Sequence, residues 1–115
     1  MVIALVMTLD MAERKQIIKD TILVLSKFTY IKEIYLFGSM LDGKITAASN
    51  IDLLIIVDNI DPKKAYLEIA IALEDRLKEK AYIIDLHVIS KQAINELLPR
   101  QLLKRAKRIL KRNST

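Results

Sequence analysis

The stretch Leu36–Val57 reads LFGSMLDGKITAASNIDLLIIV, and both the fold and the chemistry of the chain turn on it. Just upstream, IKEIYLFG (31–38) is rich in β-branched and aromatic residues and stops at Gly38, the pattern of a strand running into a turn. Downstream, NIDLLIIVD (50–58) carries an unbroken apolar run, which predicts a strand buried on both faces. Asn50 and Asp52 are two apart at the mouth of that strand, so extended backbone points both side chains to one face.

Beyond this strand, Asp61-Pro62 supplies a capping residue followed by proline at the first helical position. Tyr66, Ile69, Ala70, Leu73 and Leu77 then fall on one face of the helix this predicts. AYIIDLHVI (81–89) reads as a third strand. Before the opening stretch, Asp10-Met-Ala-Glu13 has the acid-x-x-Glu pattern of a helix start, and Met11, Ile18, Ile22 and Leu25 recur at helical spacing. A helix over roughly 10–28 is expected. Val2–Met7 reads as an edge strand or as packing that leads into that helix, and Met7 or Met11 is an alternative start. At the other end, Ser90 can cap a final helical region that Pro99 divides. A helix over about 99–112 is expected there, with Leu102, Ala106 and Ile109 in a narrow apolar stripe flanked by Leu103 and Leu110. The order is helix, strand, Gly-Ser turn, strand, helix, strand, helix. That is one small α/β domain over 1–115, a mixed sheet with flanking helices, with no repeat or linker to suggest a second unit.

The composition agrees: 52% of residues are apolar, with two Gly and two Pro, which suits a regular packed domain and not a disordered chain. Cysteine is absent, which excludes disulfides and thiolate metal sites and makes an intracellular, cytoplasmic setting the default expectation. The N-terminal MVIALVM is too short for a membrane span and lacks a basic leader. Abundant Ile and Lys with scarce Gln is a bias reported for thermophile proteins. The formal charge of +5 is unevenly placed: residues 1–98 are net −2 and residues 99–115 are net +7. Such a basic tail reads equally as a surface for nucleic acid or an acidic partner and as a solvated face offsetting a helix dipole. No aromatic residue lies in 99–115 to stack on bases, which favours an acidic protein partner over sequence-specific DNA.

The candidate chemistry comes from the strand ends. Asp85 and His87 repeat on the third strand the two-residue spacing of Asn50 and Asp52. Asp85 sits inside YIIDLHV, an apolar run where an unpaired carboxylate would be costly. Two acids on adjacent strands beside a Gly-Ser turn suit Mg²⁺ and a phosphate, because Mg²⁺ takes one or two carboxylates plus substrate phosphates. Gly38 permits close backbone approach, and Ser39 offers a hydroxyl and an amide to phosphate oxygens. His87 reads most simply as a partly buried, hydrogen-bonded residue, with proton shuttling as the functional alternative. Tyr30, Tyr35, Tyr66 and Tyr82 read as core and rim packing.

Gly38-Ser39, then ten residues, then Asn50-Ile51-Asp52, with Asp85 on a later strand, resembles the minimal nucleotidyltransferases of the DNA polymerase β-like superfamily. Their motif is Gly-Ser, ten residues, Asp-x-Asp and a third Asp. The resemblance covers about Ile31–Ile89 and implies the nucleotidyltransferase fold. By the same resemblance Gly38 and Ser39 would hold a nucleoside triphosphate, ATP above all. Asp52 would bind Mg²⁺, with Asn50 a weaker oxygen ligand in place of the motif's first Asp. Asp85 would ligate a second metal or help deprotonate the acceptor. The implied reaction is AMP transfer to a hydroxyl with pyrophosphate leaving. The resemblance further implies an antitoxin acting beside a separately encoded helical HEPN-domain protein, whose tyrosine can be the acceptor. Two departures bear on activity: Asn50 brings no charge, and both arginines of the family's Gly-Ser-Arg-x-Arg-Gly are missing from Gly38-Ser39-Met40-Leu41-Asp42-Gly43. The competing expectation is a catalytically inactive scaffold that binds a partner protein; a third is a nucleic-acid binder using the tail. A homodimer through the apolar stripe of the last helix is also expected as an option.

Overall fold

The computed structural model describes residues 11–37, 51–93 and 107–111. Helix α1 spans Met11–Leu25, strand β1 Ile31–Phe37, strand β2 Ile51–Val57 and helix α2 Pro62–Leu77. A 3-10 segment at Lys78–Ile83 leads into strand β3, Ile84–Ser90, and strand β4 is Lys107–Lys111. The four strands form one sheet in the order β3-β2-β1-β4. β1 runs antiparallel to β2 and to β4, while β2 and β3 are parallel, so the sheet is mixed as expected.

Alternation along the strands sorts the sheet into two faces. One face packs Ile34 and Leu36 of β1, with Ile51, Leu53, Ile55 and Val57 of β2, against Ile17, Val24 and Leu25 of α1 and Ala65, Ile69, Leu73 and Leu77 of α2. Leu54 and Ile56, on the other face of β2, are buried as well, so β2 is the two-sided strand its apolar run predicted. α2 begins as the sequence indicated: Asp61 is extended, its carboxylate accepts from the Lys63 amide at 3.1 Å, and Pro62 occupies the first turn. Asp61→Ala should cost about 1 kcal/mol of stability, read as a lower denaturation midpoint with an unchanged cooperativity slope. Tyr30 ties the approach to β1 onto α2 by donating to a Glu68 carboxylate oxygen at 3.0 Å. Burial, reinforced by that carboxylate, pushes the phenol up to about 12.

Several expectations need correction. In α1 the buried line is Arg14, Ile17, Thr21, Val24 and Leu25, with Ile18 and Ile22 only half-buried. Two polar residues sit on that line, and Thr21 tolerates burial because its hydroxyl donates to the Ile17 carbonyl at 2.7 Å. α1 stops at Leu25, three residues short of the expected end. On α2 the inward line runs through Ala65, Ile69, Leu73 and Leu77, while Tyr66 is 43% exposed. Tyr82 lies on the surface in the 3-10 segment, and the third strand starts at Ile84, not at Ala81. The largest difference concerns the tail, where a helix was expected over about 99–112. Lys107–Lys111 is a strand on the edge of β1. Its register shifts between Ile34 and Tyr35, and both Ile109 and Leu110 pack against the protein's own core. These two apolar positions therefore pack within the chain, and the helix expected to carry them in a stripe is a strand over Lys107–Lys111. The rest of the expected helix, and Val2–Met7, lie outside the described residues.

Candidate functional site

The parallel register decides the site. Asp52 and Asp85 are Cα partners across β2 and β3, and Leu54 is partnered with His87. Partners in a parallel pair project to the same face, so the two carboxylates stand side by side and His87 follows on that face one pleat further on. This is the face opposite the α1–α2 core, and the side chains of β1 that share it are Glu33, Tyr35 and Phe37, by alternation from Ile34 and Leu36. The sequence cost assigned to Asp85 does not arise, since its side chain is 52% exposed. His87 is 57% exposed, which corrects the partly buried reading. Its Nε2 lies 3.7 Å from Asp85 Oδ2, close enough to pair when protonated but beyond hydrogen-bond reach.

The chemistry of this donor set fits a divalent cation. One ligand atom from each of Asp52, Asp85 and His87 can be chosen so that all lie within 4.8 Å of one another. Two donors on opposite sides of one ion stand about 4.2 Å apart for Mg²⁺ and up to about 5.2 Å for Ca²⁺, so the spread of these three atoms is near what one ion spans. Asp52 carries the electrostatic sign of such a place. Burial first, and then the neighbouring Asp85 carboxylate, hold its pKa above the ordinary 3.8, with His87 opposing. An acid whose folded pKa exceeds its unfolded value binds more protons folded than unfolded between the two. Stability therefore falls as pH rises from 3.8 through the raised value and stays lower beyond it. Without divalent cations, Asp52→Asn should melt at a higher temperature than the parent at neutral pH, and the gap should close below pH 3.8. Melting curves at four or five pH values check this; an equal gap at all pH values contradicts it.

A second polar group occupies the same face toward β4. Tyr35 donates to Glu33 Oε1 at 3.1 Å, and Arg108 Nη1 pairs with that oxygen at 3.5 Å. Burial, then Glu33, raise the Tyr35 pKa while Arg108 lowers it. Of the sequence-derived site residues, Asp52 and Asp85 are thus brought together, whereas Gly38, Ser39 and Asn50 lie outside the described residues. The two-residue spacing of His87 from Asp85 is legible in the sequence, but only the register shows that β2 places Asp52 beside both.

The mixed sheet with two helices on one face and paired acids on the other is that of a nucleotidyltransferase-like fold. The chain belongs to the family described as polymerase beta, nucleotidyltransferase, whose model matches residues 15–115. No curated protein is significantly similar to it in sequence. Among solved structures it is similar to a Sulfolobus solfataricus protein described as a nucleotidyltransferase, at 22% identity over 96% of this chain and 85% of that one, with a TM-score of 0.50. It is also similar to a chain in the structure of the tri-AMPylated Shewanella oneidensis HEPN toxin in complex with MNT antitoxin, at 19% identity over 86% of this chain and 73% of that one, TM-score 0.55. A toxin–antitoxin with AMP-PNP matches at 20% identity over 86% of this chain and 74% of that one, TM-score 0.55. At these identities the likeness is one of fold.

Proposed function

We propose that this protein transfers a nucleotide, AMP from ATP, to a hydroxyl group, as the antitoxin-type partner of a helical HEPN protein whose tyrosine is the acceptor. The observation that carries the reading is the parallel pairing of Asp52 with Asp85 on the face away from the core. Family membership supports the reaction class, and the fold likeness to a complex containing an AMPylated HEPN toxin supports the acceptor. The likeness to a complex with AMP-PNP supports an adenine nucleotide. In this reading Gly38 and Ser39 hold the triphosphate, while Asp52 and Asp85, with Asn50 as a neutral oxygen donor, hold the divalent cation, Mg²⁺ by family resemblance. A cation bound there supplies positive charge against the triphosphate and the departing pyrophosphate. The acceptor oxygen forms a bond to the α-phosphorus, the bond from that phosphorus to the bridging oxygen of pyrophosphate breaks, and the hydroxyl proton passes to the Asp85 carboxylate.

Incubation with a HEPN-type acceptor and ATP labelled at the α- or the γ-phosphate tests this. Label from the α position should enter the acceptor and label from the γ position should not. Transfer of γ label, or of neither, contradicts the proposal.

The alternative, a catalytically inactive scaffold that binds the same kind of partner, is favoured by one feature: Asn50 and the residues after Ser39 remove one anionic ligand and two cations from the motif. It predicts partner binding that ATP and cations leave unchanged.

A further inference from the structure

The identity of the cation can be taken further than the carboxylates alone allow. Mg²⁺ is a hard ion that wants near-octahedral oxygen donors and gives up its waters reluctantly. Among the described residues, the donors that converge here are two carboxylates and an imidazole. His87 is on the same face as Asp85, two residues along β3, and diagonal to Asp52 across the parallel pair. Its Nε2, 3.7 Å from Asp85 Oδ2, is not engaged in a hydrogen bond with that carboxylate, and the ring is exposed to solvent. Neutral imidazole is a borderline donor that first-row transition ions accept and Mg²⁺ accepts poorly. The sequence changes the other side of the balance as well, since Asn50 withholds the extra carboxylate that would favour a hard cation.

We infer that His87 is a third ligand of this site, with Asp52 and Asp85, and that it makes the site select a first-row transition cation, Mn²⁺, over Mg²⁺. Among the first-row ions Mn²⁺ is the one that shares the octahedral, oxygen-rich coordination of Mg²⁺, which a triphosphate needs, and as a transition ion it takes an imidazole nitrogen more readily than Mg²⁺ does. Zn²⁺ prefers a tetrahedral set in which a phosphate chain has less room. The inference rests on the reading of Asp52 and Asp85 as cation ligands; it adds the role of His87 and replaces the Mg²⁺ of the family resemblance with Mn²⁺.

The test is Mn²⁺ binding to the full chain, read from the electron paramagnetic resonance of free Mn²⁺, with Mg²⁺ as competitor, with and without AMP-PNP. Parent, His87→Gln and Asp52→Asn proteins are compared, each first shown to fold by far-UV circular dichroism. His87→Gln replaces nitrogen with an oxygen donor at an exposed position and should narrow the Mn²⁺-over-Mg²⁺ preference by roughly tenfold or more. Because His87 is the single histidine of the sequence, its two ring C–H signals are unambiguous. Diamagnetic Zn²⁺, used as a structural reporter, should shift them in the parent and not in Asp52→Asn. An unchanged preference in His87→Gln, with binding still lost in Asp52→Asn, overturns the inference and leaves the two-carboxylate reading standing. Absence of cation binding in every protein, with and without AMP-PNP, overturns both.

Discussion

Replacing Asp52 with alanine is expected to lower nucleotide transfer by on the order of 10²–10³-fold and to abolish the cation dependence of ATP binding. The expectation follows from position and charge together. Asp52 stands directly beside Asp85 in the parallel ladder, and with Asn50 neutral there are only two carboxylates among the matched motif positions. In the proposed reading, removing one of two anionic ligands would halve the charge that holds the cation, where a site with a full Asp-x-Asp pair would retain two. The same substitution should not harm folding, since Asp52 is outside the α1–α2 core and its charge is disfavoured there by burial and by Asp85. A loss of transfer accompanied by equal or higher thermal stability is therefore the diagnostic pair. Loss of both together would mean that Asp52 matters for architecture instead. Asp85→Asn provides the matching control, because removing either carboxylate relieves the repulsion between them.

The opposite substitution has an expected gain. Asn50→Asp restores the acid that the family motif carries two residues before Asp52, and should raise cation affinity and transfer by about tenfold or more. A carboxylate brings a full negative charge to a divalent ion where the amide of Asn50 brings none. The gain should be larger with Mg²⁺ than with Mn²⁺, since the third carboxylate supplies the hard oxygen that His87 does not. Transfer rates of parent and Asn50→Asp in each metal measure this directly. No change in either metal would place Asn50 away from the cation and would weaken the motif correspondence itself.

The legibility of the fold in the sequence varied by element, for identifiable reasons. The Asp61-Pro62 start and the two-sided burial of β2 were readable because both rest on local chemistry: a cap plus a fixed φ, and an apolar run too long for one face. The α1 face was misjudged because apolar periodicity gives no weight to a threonine that satisfies its own hydroxyl within the helix, as Thr21 does. The α2 face was off by one residue at Tyr66, where small Ala65 takes the inward position and lets the helix approach the sheet. The strand at Lys107–Lys111 was not readable locally. Its cations recur at helical spacing, yet the unpaired edge of β1 offers a hydrogen-bonding ladder that a short local pattern cannot outweigh. The site divides the same way. Asp52 and Asp85 could be picked out by spacing, but their adjacency, and the addition of His87, depend on a parallel register set by the whole β2–α2–β3 crossover.

Calorimetric titration with ATP, with and without divalent cation, in the parent and in Asp52→Ala, reads whether this face of the sheet binds a nucleotide. Cation-dependent ATP binding that disappears in Asp52→Ala is the predicted result. No binding at millimolar ATP, or binding indifferent to both the cation and Asp52, would contradict the assignment of this sheet face as a nucleotide site.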